Sequence, residues 1–274
     1  MPRIQRIEDP DALPALKPLK EGYIQQATAP LDGMWLTGFV PMASHFGFYE
    51  SDELVGYCCV NDDGYLLQFY CDPNSACDPV EVFASLFQNA DQPAGKLAGV
   101  FVSTAEPNVL TLCMDRFPRF EVNALMYQRH SSALEEPLDS TPTLLPMEPD
   151  QLLAAVEIAV QSIGAPDVWL RGYYASLIQL GELFGAWKDD RLIALGESRG
   201  YDDYQIGCAD LGVLVSRDER GKGHATQVLL QLARYNEARG LTSICSTERN
   251  NIAAQKAIAR AGFKPVHRIV QFHA

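Results

Sequence analysis

Features that would assign a membrane, a metal or a nucleic-acid partner are scarce in this chain of 274 residues. No apolar run approaches the roughly 20 residues of a membrane span. The first residues, MPRIQRIEDPDALPALKP, carry acids where a secretory signal needs its apolar core, so a cytoplasmic protein without a membrane partner is expected. Seven cysteines, at 58, 59, 71, 77, 113, 208 and 245, form no C-x-x-C pair, and no His stands at ligand spacing from them. Free cysteines in a reducing compartment are mostly small core residues, so neither a disulfide nor a bound metal is expected. Cations are scarce as well: 22 Lys and Arg against 35 Asp and Glu leave a net charge of −13, which argues against nucleic acid.

The charge that is present is unevenly placed. Residues 1–140 hold 8 Lys/Arg and 20 Asp/Glu, whereas residues 141–274 hold 14 and 15. An anionic ligand would therefore find the second half far more hospitable. A polar, proline-containing stretch, HSSALEEPLDSTPTLLP, separates the halves. The expected division is a domain over 1–130, a linker over 131–142 and a second domain over 143–274.

In the second half, EPDQLLAAVEIAVQSIG and PDVWLRGYYASLIQL read as helices, and ELFGAWK, RLIALGESR and YQIGCADLGVLV as strands. A helix from Gly223 to Arg239 follows, with Val228, Leu229, Leu232 and Tyr235 on one face and Gly240 as its stop. The strand LTSICS, the helix NNIAAQKAIARAG and the strand KPVHRIVQF complete it. Hairpins followed by crossovers imply an α/β fold with a mixed sheet and helices on both faces. The first half repeats this plan. FYESDELVGY (Phe48 to Tyr57) aligns with AWKDDRLIAL (Ala186 to Leu195) as a hairpin with an acidic tip. STAEPNVLTLCMDRFPRF (Ser103 to Phe120) aligns without a gap with STERNNIAAQKAIARAGF (Ser246 to Phe263). The expectation is an internal duplication of about 130 residues.

The segment LGVLVSRDERGKGHATQVLLQLA (Leu211 to Ala233) runs from a strand through a glycine turn into an amphipathic helix. Such a turn is a general anion site, because bare N–H groups and the helix dipole face outward. The Walker A pattern fails at Ser216 and Gly223, and the Rossmann pattern fails at Thr226. Arg220, Gly223 and Ala225 instead match [Q/R]-x-x-G-x-[G/A], and Asn251, Ala254, Gly262 and Phe263 match an N-x-x-A…G-F helix. In these two motifs the sequence resembles the GNAT superfamily of acyl-coenzyme A-dependent N-acyltransferases.

The resemblance implies two GNAT-like domains, each a twisted, mostly antiparallel sheet with one splayed parallel strand pair. It implies acetyl-coenzyme A as co-substrate, without a metal. The implied cofactor residues are Val213, Leu214 and Val215 on the strand edge, Arg220, Gly221, Lys222, Gly223, His224, Ala225 and Thr226 in the turn, and Asn251. The first half has CDPNSACDPVEVF at the matching turn, where Asp72, Pro73, Asp78 and Pro79 replace glycine. Prolines lack N–H donors and aspartates repel phosphate, so no coenzyme A is expected there.

Acyl transfer to an amine needs a proton acceptor, oxyanion donors and a leaving thiolate. Asp210 and Glu197 are the candidate bases, and either could equally be a paired strand carboxylate. The family's usual tyrosine acid falls at Ile258, which cannot donate; Cys245, Ser246 or Thr247 could, or they could merely cap a strand end. Trp169, Tyr173 and Tyr174 are the candidate acceptor-binding residues. The expected activity is direct acetyl transfer to the primary amine of a small molecule by a monomer or homodimer. The alternatives are a peptide or protein N-acetyltransferase and a non-catalytic acyl-coenzyme A-binding regulator.

Overall fold

The structure is a computed structural model that describes all residues except 89–91, 131–141, 165 and 201–204, together with the Thr37 side chain. All but the last residue of the expected linker thus lies outside the described residues. The chain forms two compact units: Met1–Leu125 with His267–Ala274, and Met126–Val266.

The first unit begins with β1 (Arg3–Ile7) and α1 (Leu16–Gln25), then a π-helical segment (Trp35–Phe39) that runs into α2 (Val40–Met42). Next come β2 (Ser44–Glu50), β3 (Glu53–Val60), β4 (Tyr65–Cys71), α3 (Pro79–Gln88), β5 (Gly99–Ser103), α4 (Pro107–Arg116) and the start of β6 (Phe120–Arg129). Strands pair in the order β1-β2-β3-β4-β5, antiparallel except for the last pair. That parallel pair, β4–β5, joins only Tyr65 to Gly99 and Leu66 to Val100 before it parts.

The second unit contains β7 (Leu144–Pro146), α5 (Leu152–Ile163), α6 (Asp167–Leu180), β8 (Leu183–Lys188), β9 (Arg191–Gly200) and β10 (Cys208–Val215). It continues with α7 (His224–Ala238), β11 (Thr242–Glu248), α8 (Ile252–Arg260) and the start of β12 (Phe263–His273). The order β7-β8-β9-β10-β11 is again antiparallel until its last pair. The parallel β10–β11 pair joins Cys208 to Thr242, Ala209 to Ser243 and Asp210 to Ile244, and then splays. One offset relates Tyr65 to Cys208, Gly99 to Thr242 and Ser103 to Ser246, so the gapless alignment of the halves is a register identity between their sheets.

Local chemistry explains the shared hairpins. Ser51 and Asp52 at one acidic tip, and Asp189 and Asp190 at the other, all adopt left-handed backbone. Two successive left-handed residues are what a two-residue hairpin turn needs to match strand twist. Gly164 and Gly181 close α5 and α6 in the same conformation. On α7, Val228, Leu229 and Leu232 are buried, each contributing about 1.5–3 kcal/mol of transfer free energy. Tyr235 departs from that expectation: it is 40% exposed, with its ring edge-on to Phe184.

The chain does not divide in simple sequence order. The last strand was expected in the second domain, but Ile269 to His273 pair antiparallel with Ser103 to Gly99 of β5. Val270 and Phe272 lie in the core of the first unit. An alternating strand pattern shows which face is apolar, not which strand lies alongside. Among the described residues no helix is long and apolar enough to cross a membrane.

Candidate functional site

Where β10 leaves β11, three features of the second unit converge: an open strand edge, a glycine turn and a buried charge cluster. Val213, Leu214 and Val215 lie past the last β10–β11 pair and are half-buried. A 3-10 turn (Arg217–Glu219) then leads to Gly221 and Gly223, with φ of 78° and 89°. Both values lie where a side chain is strained, so glycine here is required by the backbone. A Cβ at Gly221 would meet nothing within 4 Å, so the turn faces open space. Gly223 is the N-cap of α7 and no side chain caps that helix. The N–H groups from Gly221 to Ala225 have no acceptor among the described residues.

The side chains of the turn pair within the chain. Glu219 is buried beneath the turn and gathers Lys222 Nζ at 2.9 Å, His224 Nε2 at 3.3 Å and Arg191 Nη2 at 2.9 Å. Lys222 holds the Glu219 carboxyl below its usual pKa. Arg191 also pairs with Asp218. Arg220 turns inward and donates to the carbonyls of Val215 at 3.3 Å and Ser162 at 3.0 Å. It therefore braces the turn against the ends of β10 and α5. Ala225 is half-buried in the first turn of α7. Thr226 is buried and donates to the Ala257 carbonyl. Asn251 caps α8 by accepting from the Ala254 N–H at 3.1 Å. The pattern of the motif is thus largely the pattern of a braced turn that leaves its backbone donors bare.

The charge cluster lies beside the fork. Asp210, opposite Arg199 in register, is the last β10 residue paired with β11. Arg199 binds Asp210 through Nη2 and donates from Nη1 to Glu197 Oε2 at 3.0 Å. Tyr173 Oη accepts from Arg199 Nη1 at 2.9 Å and donates to Glu197 Oε2 at 2.7 Å. Burial acts to lower the Arg199 pKa, but Asp210 and Glu197 raise it well above its usual value. Burial, reinforced by Glu197, also pushes the Tyr173 phenol up, so it stays protonated.

The two candidate bases differ in access. Asp210 is 1% exposed and engaged by Arg199, whereas Glu197 is 8% exposed and receives both bonds on Oε2. No bond to Glu197 Oε1 is found among the described residues. Ser246 is half-buried on β11, beyond the last residue paired with β10. Ile258 is 4% exposed within α8, a packing residue.

The acceptor candidates sit on α6, the helix expected from PDVWLRGYYASLIQL. The Trp169 and Tyr173 rings stack at 4.9 Å and 10°, and Trp169 reaches the surface. Tyr174 is 2% exposed and lies in the core between α5, α6 and the sheet. Its ring fills that core rather than a surface site, because successive helix residues point about 100° apart. Sequence reasoning missed Arg199. Its signal was available: it follows Glu197 by two residues on one strand, a spacing that puts both side chains on the same face.

Residues 13–130 match the acetyltransferase (GNAT) domain family, and residues 154–263 the acetyltransferase (GNAT) family. A GNAT-family acetyltransferase from Colwellia psychrerythraea is 48% identical, with 99% of both chains covered and a TM-score of 0.90. A tandem GNAT protein from the clavulanic acid biosynthesis pathway shares the fold at 14% identity, over 100% of this chain and 98% of that one, with a TM-score of 0.62. So does a GCN5-related N-acetyltransferase from Sphaerobacter thermophilus, at 14% identity, 98% and 94% coverage and a TM-score of 0.61. No curated protein matches the chain. With two matched domains and a close relative along its whole length, the chain belongs to the GNAT acetyltransferase family and is an N-acetyltransferase built as a tandem.

Proposed function

We propose that the second unit transfers an acetyl group directly from acetyl-coenzyme A to the primary amine of a small molecule, with Glu197 as the base. Acetyl-coenzyme A, when bound, supplies the activated acetyl thioester. The bare N–H groups from Gly221 to Ala225 and the N-terminus of α7 suit its pyrophosphate. The edge of Val213 to Val215 offers backbone groups for the amide-bearing arm. Arg220, Lys222, His224, Thr226 and Asn251 then act by holding this frame, since each has a partner within the chain.

Glu197 takes the ammonium proton through Oε1. Arg199 orients the Glu197 carboxylate through Oε2, and Asp210 positions Arg199 from the other side. Tyr173 fixes the carboxylate, and its stack with Trp169 forms an aromatic wall for the acceptor. Ile258 offers no proton, so Ser246 is assigned the donor role on the open edge of β11. The observation that carries this reading is a carboxylate beside the strand fork with one oxygen spoken for and the other available.

The test is acetyl-coenzyme A turnover followed by thiol release across a panel of small amines and peptides. Glu197→Gln should lower kcat by about 10²–10⁴-fold while calorimetry shows unaltered acetyl-coenzyme A affinity. Wild-type turnover by that variant would remove Glu197 from the role. Thiol release with peptides alone would favour a peptide acceptor, and none with any amine would favour a binding protein.

A further inference from the structure

In the first unit, the turn that corresponds to the glycine turn is closed by two cysteines. Cys77 Sγ lies 3.3 Å from Cys71 Sγ, within the core formed by β3, β4 and α3. We propose that Cys71 and Cys77 form a reversible dithiol site, which a peroxide converts to an intramolecular disulfide and a thiol reductant reopens.

The turn holds the two sulfurs together independently of their own contact. Asp72 Oδ1 accepts from the Asn74 N–H at 2.9 Å, and the Asp72 carbonyl accepts from Ser75 Oγ at 2.7 Å. Ser75 Oγ in turn accepts from the Cys77 N–H at 3.2 Å. This chain of bonds folds the segment back, so that Cys77 returns over the end of β4. A disulfide bond is about 2.05 Å long, and closing the gap takes roughly 1 Å of approach, within reach of side-chain rotation. Spacing along the sequence gave no sign of the pair, because five intervening residues fit no redox or metal motif.

All seven cysteines are thiols here, and their placement separates this pair from the rest. Cys58 shares the same core but stands opposite Phe69, whereas Gly56 stands opposite Cys71. Cys59 faces the other side of the sheet. Burial pushes both Cys71 and Cys77 up, so the attacking thiolate is scarce and the first step slow.

The step balances. The thiolate of one cysteine attacks one peroxide oxygen, the O–O bond breaks, and a sulfenic acid forms as the other oxygen leaves as hydroxide and takes up the proton that the thiol released, giving water. The other cysteine attacks the sulfenic sulfur, the S–O bond breaks, and a second water leaves as the S–S bond forms. Two thiols lose two protons and two electrons, and one peroxide becomes two waters.

The test treats the full chain with hydrogen peroxide, blocks remaining thiols and measures intact mass. The expected result is a loss of two hydrogens and of two titratable thiols, both restored by a thiol reductant. Cleavage on the amino side of Asp72 should then leave fragments joined through Cys71 and Cys77 until reduction. Cys58→Ser should leave the yield unchanged and Cys77→Ser should abolish the link, although mapping of the wild-type chain decides the matter alone. Linkage through Cys58 or Cys113, oxygen addition without a link, or survival of every thiol would each overturn the proposal.

Discussion

Gly212 and Glu197 face each other across the β9–β10 pair, and a Cβ on Gly212 would lie 2.8 Å from Glu197 Oε2 and 3.0 Å from its Cδ. Real Cβ atoms do not approach that closely, so the absent side chain makes the space in which the carboxylate meets Tyr173 and Arg199. Glycine here serves a side chain and not the backbone.

Gly212→Ala should therefore displace the Glu197 carboxylate without touching the glycine turn. A shift of the order of 1 Å in a reacting group costs up to about 10²-fold. The expected outcome is a fall in kcat of at least tenfold, with acetyl-coenzyme A affinity unchanged by calorimetry. Wild-type turnover would show that the carboxylate is placed by other neighbours.

Arg199 joins two carboxylates in a nearly dry site, so removing it leaves both without their cation. Arg199→Leu should cost about 3–5 kcal/mol by denaturant unfolding. Pairing it with Asp210→Leu should recover part of that stability, because one buried charge is gone, while activity stays lost. An exposed ion pair would give less than about 1 kcal/mol in the same measurement.

What could be read in the sequence was what local pattern controls. The glycine turn, the two helices that follow the splayed strands and the duplication through Ser103 and Ser246 are all short-range features. The partner of β12 was not legible, since alternation in KPVHRIVQF describes any half-buried strand. Nor was the partner of Asp210, a candidate base or paired carboxylate that Arg199 engages from the opposite position. Asn251 matched a motif, yet its oxygen caps α8. A motif residue can hold the frame instead of a ligand, and sequence alone does not separate the two.

Glu106 gives the first unit a pH dependence of its own. It is buried, accepts from Tyr23 Oη at 2.6 Å and the Ser103 N–H at 2.8 Å, and burial pushes its carboxyl from 4.5 to about 7. The folded state binds this proton more tightly than the unfolded state. Its contribution to stability is complete below pH 4.5 and is lost as pH rises to about 7. The loss amounts to about 3 kcal/mol across that window. Glu106→Gln should flatten the window in a pH series of denaturant unfolding, and an unaltered slope would assign it to other groups.

The glycine turn is tested by charge. Gly223→Asp places a carboxylate and a Cβ beside the bare N–H groups at the N-terminus of α7. Acetyl-coenzyme A binding should be lost by calorimetry while the circular dichroism spectrum is kept. Undiminished affinity would move the ligand elsewhere on the chain.

The final prediction is one coenzyme A per chain, bound in residues 205–260, and the first unit supplies the argument. Its splayed strands are preserved, but the Trp35 indole donates to the Leu67 carbonyl on β4, just past the last residue paired with β5, and packs on Phe101 of β5. Among the described residues, neither Trp169 nor Trp187 of the second unit donates to the matching edge past Asp210. At the first unit's turn, Asp72 accepts from the Asn74 N–H and Asp78 from the Val80 N–H, so donors are used within the chain. The turn is anionic where a pyrophosphate would need cations and free N–H groups. A titration at saturating ligand should give a stoichiometry near one. Trp35→Ala would remove the indole bond but leave the aspartates, so it should not add a second site. A stoichiometry of two in the wild-type chain would mean that the tandem kept both ancestral sites, with Trp35 and Asp72 giving way on binding.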